Sequence, residues 1–366
     1  MSNETHEKKT NEKYKKIFWA VVSPLLAVIT VWILFRQNED VSLKDILQTA
    51  AGSDKRWFAA ALVSSIVYIV AEGMALCAIL REAGCPKTVR HGILYSTADI
   101  YFSAITPSAT GGQPASAYFM MRSGISGGVT TAVLLLNLMM YTLSIVALGV
   151  LAVIICPGAL TGFNLPAKLL IAAGTITQLA LAVFFMAILR NGNFIFDLLE
   201  RAIAFFGRKR LLRHPKKKIA KLAKARRDYD ACSEMFAGNK VMLLKVFLWN
   251  LLQRFSQIVV PALLYISLGA GTADAVRLFS KQCLITIGYN FVPLPGAMGV
   301  ADYLMLHGFS DLMGRDTAFH LEMLSRSLTF YICVSVSGLI TFIGYILFKR
   351  RRRFHAMHQE DKGTAV

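Results

Sequence analysis

Seven ionisable residues fall in or beside long apolar runs: Glu72, Asp99, Arg254, Lys281, Asp302, Glu322 and Arg326. A charge in hydrocarbon is costly unless it is paired or hydrated. These side chains are therefore expected to face a polar cavity or one another. Glu322 and Arg326 are four apart and share a helix face, a spacing that predicts a structural ion pair. Asp302 follows closely on Pro295-Gly296. A structural and a functional role weigh evenly for it, the functional ones being pairing with a cationic headgroup, pairing with Arg254, or carrying a proton. There is no HxxxH or HExxH pair, no serine-nucleophile motif and no phosphate-cradling glycine loop. His91, His307 and His320 are isolated. The six cysteines (Cys77, Cys85, Cys156, Cys232, Cys283, Cys333) form no CxxC pair and read as small core residues. No metal and no cofactor is expected.

Two apolar stretches are interrupted in a similar way. The first, Ile93 to Met121, contains Thr106-Pro107 and Gly111-Gly112-Gln113-Pro114. The second, from about Leu278 to Leu312, contains Pro293-Leu-Pro295-Gly296-Ala-Met-Gly299. Proline and glycine break a helix at such points. Each break has a tyrosine on either side, Tyr118 following the first. They read as degenerate copies of one helix–break–helix unit in opposite orientations. Backbone groups freed at mid-membrane bind polar substrate groups in transporters built this way. The candidate substrate site therefore comprises Thr106, Pro107, Gly111, Gly112, Gln113 and Tyr118 from the first stretch and Pro295, Gly296, Gly299 and Asp302 from the second. Arg254, Glu72 and Asp99 complete it. The four glycines are expected to allow close approach or positive φ, and Gln113 offers donor and acceptor without charge.

The elements that must position these residues are membrane helices. Hydrophobic residues make up 55% of the chain and charged residues 17%, with a mean hydropathy of +0.50; soluble domains carry about 25% charge. The net charge of +18 sits in a few blocks between apolar runs. That distribution marks the cytoplasmic side of a membrane and argues against nucleic acid as a partner. Full spans are expected at 17–35, 57–80, 129–156, 167–189, 241–268 and 323–348. Six crossings leave both termini cytoplasmic, so the two interrupted stretches must enter and leave on one side. The fold class is all-α: a polytopic transmembrane protein of six spans and two re-entrant hairpins in an inverted repeat, in the cell membrane. Residues 1–16 form a basic cytoplasmic end, 17–348 one membrane domain, and 349–366 a basic tail. Residues 190–240 form a cytoplasmic loop with short surface helices on either side of Pro215. There Lys216, Lys217, Lys218 and Lys221 are candidates for binding anionic lipid headgroups. Membrane lipids are the expected partners, and nothing in the sequence opposes a homo-oligomer.

At its two breaks the sequence resembles the flippase-like membrane domain of lysylphosphatidylglycerol synthases. Thr106-Pro-Ser-Ala-Thr-Gly-Gly-Gln-Pro114, continuing to Tyr118 and Arg122-Ser-Gly-Ile-Ser126, is similar to the family's first signature. Pro293-Leu-Pro-Gly-Ala-Met-Gly-Val300, with Asp302 beyond it, is similar to the second. Many members have Glu at the positions of Gln113 and Asp302; the first change removes a charge and the second keeps one. Better-known members add a soluble domain that transfers an aminoacyl group from tRNA to phosphatidylglycerol. The chain ends shortly after its Arg tail, so that synthase domain is not expected. The resemblance implies a lipid translocase for a phospholipid, aminoacyl-phospholipid or polyprenyl-phosphate-type lipid. Two other functions stay open: an enzyme modifying a lipid headgroup, such as a phosphatidylglycerol lysyltransferase, and a non-transporting partner in an envelope complex.

Overall fold

The computed structural model describes residues 51–106, 109–190, 193–208, 215–292, 294–297 and 299–363. The expected span at 17–35, the basic end before it and Pro107 lie outside the described residues. Every regular element described is helical, with no strand. In chain order these are α1 (Lys55–Glu82), α2 (Val89–Ile105), α3 (Gly112–Arg122), α4 (Gly127–Ile155), α5 (Leu165–Arg190), α6 (Asn193–Arg208), α7 (Pro215–Gly238), α8 (Lys240–Ile258), α9 (Val260–Ser267), α10 (Thr272–Asn290), α11 (Val300–Met313), α12 (Arg315–Arg326) and α13 (Cys333–Gly363). A π-helical turn, Ser327–Ile332, joins the last two.

Local chemistry accounts for several boundaries. Asp54 caps α1 by accepting from the Arg56 N–H at 2.9 Å, and Asn239 caps α8 by accepting from the Met242 N–H at 2.9 Å. α7 starts at Pro215, where the missing N–H costs nothing. Among the described residues, Lys55–Glu82, Gly127–Ile155, Leu165–Leu189 and Arg315–Phe348 are long and apolar enough to cross a membrane. The last begins at Arg315, ahead of the expected Met323. Lys240–Ser267 qualifies only together with Lys218–Phe236, from which it turns by 93°. Its apolar run is diluted by Asn250, Gln253, Arg254 and Gln257, a spacing that gathers them on one helix face.

α2 with α3, and α10 with α11, pack against each other across their breaks, so the chain folds back at both places. α2 and α10 have 17 and 19 residues, and α3 and α11 have 11 and 14. Spanning takes about 20. A shared apolar core runs through α1, α2, α3, α4, α7 and α8, from Leu76 and Tyr95 through Met120 and Leu136 to Phe236 and Val246. Val150, Ile154, Leu169, Ile176, Val183 and Leu339 point outward. Such a surface is a liability in water and a requirement in lipid.

Close backbone contact sets the α1–α2 pair. A Cβ on Gly73 would sit 2.7 Å from the Gly92 carbonyl carbon. Small residues at such crossings let membrane helices pack at short range. This contact seats Ser96 of α2 on α1, where its hydroxyl donates to the Ile69 carbonyl at 2.9 Å and to Glu72 at 3.0 Å. Gly73→Ala therefore has to move backbone and should cost about 1–3 kcal/mol. Gly127→Ala, with only the Met121 sulfur at 3.9 Å, should be neutral or slightly stabilising. Thermal unfolding of both purified variants in detergent checks the difference.

Candidate functional site

A cavity of about 450 Å³ opens between the two breaks. Glu72 of α1, Asp99 of α2, Gln113 of α3 and Arg254 of α8 line it, together with Gly296 of the second break and Arg326 of α12. Five of these six were among the candidate substrate-site residues; Arg326 was expected only as a structural ion-pair partner. Breaking two helices at this depth gives the cavity backbone walls as well as side chains.

At the first break the carboxylates are held by neutral donors. Glu72 Oε2 accepts from the Ser96 hydroxyl at 3.0 Å and from Gln253 Nε2 at 2.9 Å. Asp99 Oδ1 accepts from the Ser103 hydroxyl at 3.2 Å, and Asp99 Oδ2 from Gln113 Nε2 at 2.8 Å. The Gln113 bond ties the helix after the break to the helix before it. The two glycines ahead of Gln113 work by close approach. A Cβ on Gly111 would lie 2.7 Å from the Thr106 methyl, and one on Gly112 would collide with Asp99 and Ser103. Thr106 closes the turn: its hydroxyl donates to the Phe102 carbonyl at 2.6 Å and accepts from the Gly111 N–H at 2.8 Å.

The second break uses its glycines differently. Gly296 has φ +58° and Gly299 φ +80°, the left-handed region that favours glycine. Gly299 is the N-cap of α11 and donates its N–H to Asp302 Oδ2 at 2.7 Å. Asp302 also pairs with Arg326, Oδ1 to Nε at 2.9 Å, and Arg326 Nη1 donates to the Gly296 carbonyl at 3.3 Å. This corrects two expectations. Asp302 is not partnered by Arg254, and Arg326 is paired with Asp302 rather than with Glu322. Arg326 is the last residue of α12 before the π-helical turn, and its long side chain reaches the break, where a freed carbonyl and a carboxylate compete for it. Glu322 is buried, and its Oε1 has no hydrogen-bond partner.

Arg254 is held by aromatic faces. Its guanidinium lies 4.4 Å from the ring centre of Tyr141 and 4.9 Å from that of Tyr68, and Nη1 donates to Gln257 Oε1 at 2.9 Å. Tyr141 in turn donates to Asn290 Oδ1 at 2.9 Å, at the end of α10. Two polar groups thus line the cavity, one tied to the first break through Gln113 and Asp99 and one running from Arg254 through Tyr141 to Asn290 beside the second.

Other candidates lie elsewhere. Tyr118 is exposed, with Arg122 stacked on its ring at 5.0 Å. Thr106 and Gly299 serve their breaks without lining the cavity. Pro295 opens a short 3₁₀ turn, Pro295–Ala297. Lys281 is buried on the far side of α10, donating to the Thr161 carbonyl at 2.6 Å and to Asp311 at 3.2 Å. Lys218 and Lys221 are exposed on α7. Farther along that helix Tyr229 donates to the Ile188 carbonyl at 2.9 Å, docking α7 on the bundle. The sequence argument missed the neutral lining: Tyr68, Tyr141, Gln253, Gln257 and Asn290. The signal was available, since Asn250, Gln253, Arg254 and Gln257 recur at helical spacing inside an apolar run.

Apolar helices facing outward around a polar interior cavity with two broken helical walls define a multi-pass membrane protein with a buried polar chamber. The chain belongs to the family of the lysylphosphatidylglycerol synthase transmembrane region, whose model matches residues 20–337. It is also similar to a UPF0104 membrane protein of Archaeoglobus fulgidus, 25% identical over 248 residues that cover 66% of this chain and 72% of that one.

The ion-pair assignment can be tested by substitution. Arg326→Gln strips Asp302 and the Gly296 carbonyl of a charged donor and should cost about 1.5–3 kcal/mol. Glu322→Gln removes no ion pair and should cost clearly less. The order of the two unfolding midpoints in detergent decides the matter; a larger loss for Glu322→Gln would restore the helical i,i+4 pair.

Proposed function

We propose that this protein is a lipid translocase that passes a polar headgroup through the chamber while the acyl chains remain in the bilayer. One observation carries the proposal: the two breaks and the buried polar side chains converge on a single cavity within an apolar bundle. Moving a headgroup through hydrocarbon leaves its polar atoms unsolvated. A chamber with guanidinium groups, amides and broken-helix backbone replaces part of that hydration. Arg254 and Arg326 suit the phosphate common to phospholipids and polyprenyl-phosphate lipids.

The paired hairpins support a two-fold inverted arrangement, with α2–α3 entering from the cytoplasm and α10–α11 from outside, in a bundle of six spans in the cell membrane. The basic central segment, with Lys218 and Lys221 exposed on α7 and Lys216 and Lys217 immediately before Lys218 in the chain, then lies at the anionic inner leaflet. Single cysteines introduced in that segment of an otherwise cysteine-free protein should resist an impermeant maleimide in intact cells, whereas one at Gly158 should react. Labelling of the central segment from outside would invert the orientation.

Transport itself is testable with purified protein in phosphatidylglycerol/phosphatidylethanolamine vesicles holding a fluorescent phosphatidylglycerol. Gln113→Ala opens the first break, Asp302→Asn weakens the second, and Gly296→Leu forces a side chain at positive φ into the Phe330 ring. Each should slow translocation about tenfold or more while the protein elutes as one species. Wild-type rates in all three would place the site elsewhere.

A further inference from the structure

The Glu72–Asp99 pair lacks the counter-ion that Lys281 and Arg326 have, and it sets two carboxyl groups side by side in the chamber. Lys281 and Arg326 each have an oppositely charged partner within 3.2 Å. Glu72 and Asp99 have none within 4 Å among the described residues; they face each other from adjoining helices. Their hydrogen-bond donors are all neutral: Ser96 and Gln253 to Glu72 Oε2, Ser103 and Gln113 to the two oxygens of Asp99. Three of the four carboxyl oxygens are thereby supplied with donors. Glu72 also lies within hydrogen-bond reach of Asp99 itself.

On α8 the same glutamine has an unmet acceptor. Gln253 donates to Glu72 with its Nε2, yet its own Oε1 is buried and lacks a donor, in a residue 2% exposed. A buried acceptor left in this state costs about 1–3 kcal/mol. An amide and a carboxylic acid form two hydrogen bonds with each other, N–H to C=O and O–H to C=O. The first is already made. The second needs an O–H on Glu72.

We propose that Glu72 and Asp99 are a proton-binding site of the chamber, holding one proton between them, and that this proton is the ion to which transport is coupled. Only the coupling rests on the translocase reading. Two carboxylates side by side in a poorly hydrated site do not both stay ionised, and acidic pairs within membrane helices are a recurrent form of proton relay. Binding is a proton transfer from hydronium to a Glu72 oxygen: one O–H bond of the hydronium breaks, one O–H bond forms on the carboxyl and a neutral water is left, and release runs the same step backwards into water in the cavity.

The charged and titratable groups around the pair are few. α8 contributes Arg254, held off the carboxylates by Tyr68 of α1 and Tyr141 of α4, and those two phenols are the other titratable neighbours. With one proton on the pair, a single negative charge faces the Arg254 guanidinium; with none, two do. Because Gln113 bridges the first break to Asp99, loading or unloading the proton acts on the contact that holds α3 to α2.

Infrared difference spectroscopy on the purified full chain tests the site without any lipid substrate. The carbonyl stretch of a protonated carboxyl, which carboxylates lack, should be present at neutral pH and vanish on alkalinisation. Glu72→Gln and Asp99→Asn, each near-isosteric, should remove or displace that band; Glu200→Gln, at an exposed position, should not. Absence of the band, its persistence in both variants, or its loss on adding sodium at fixed pH would overturn the proposal. Coupling is read in vesicles of the composition given above, with the same fluorescent lipid. An imposed pH gradient should bias the lipid's final distribution, and collapse of that gradient by an ionophore should abolish the bias. Lipid movement indifferent to the gradient overturns the coupling. A titrating band with no lipid movement at all leaves the proton site intact and removes the translocase reading instead.

Discussion

A helix interrupted inside a bilayer frees backbone N–H and C=O groups where no lipid atom can satisfy them. That constraint organises this molecule. Each break is closed by a side chain of its own neighbourhood: Thr106 takes the Gly111 N–H, and Asp302 takes the Gly299 N–H. The same side chains leave other backbone atoms facing inward, and the cavity grows from them. Arg326 bonds the Gly296 carbonyl while pairing with Asp302, so one guanidinium completes both the cap and the ion pair. The requirement that breaks be buried against protein also explains the short helices beside them, since α3 and α11 are held by their partners across the fold and not by their own length.

The breaks were legible in the sequence because proline and paired glycine act locally. Their positions followed from covalent geometry, and so did the apolar spans at 57–80, 129–156 and 167–189. The cost of charge in hydrocarbon pointed Glu72, Asp99 and Arg254 to a polar cavity, and the breaks pointed to Gln113 and Gly296; all five line one cavity. Partner choice did not follow. Arg326 sits four residues from Glu322, and helical spacing alone joins them. What decides otherwise is tertiary: α11 brings Asp302 to the end of α12, and the π-helical turn leaves Arg326 free to reach it. A sequence shows which residues share a face but not which face meets which.

The aromatic and amide lining was hidden for a different reason. Tyrosine, asparagine and glutamine are tolerated in membrane helices, so one such residue means little. Their meaning came from convergence, with Tyr68, Tyr141 and Gln257 reaching Arg254 from three positions on three helices. Lys281, by contrast, looked like a cavity residue and is a clasp, fixing the loop at Thr161 to Asp311 on α11. Burial of a charge announces that it has a partner, and only the fold says whether that partner is structural.

The two breaks differ in how firmly they are closed, and the difference bears on how such a chamber could move. The second is held by a charged clasp, Arg326 on Asp302, with the Gly296 and Gly299 backbone fixed in conformations that favour glycine. The first is held by neutral hydrogen bonds from Gln113 and Ser103 to a single carboxylate. A neutral donor on a carboxylate is more easily exchanged for water than an ion pair at short range, because less Coulomb energy is lost. The first break is therefore the side on which small changes of charge or hydration have the greatest leverage. Across the cavity the phenol of Tyr141, which stacks on Arg254, also bonds Asn290, the residue at which α10 ends, so the approach to the second break is anchored by an aromatic ring that the hydrogen bonds of the first break do not reach.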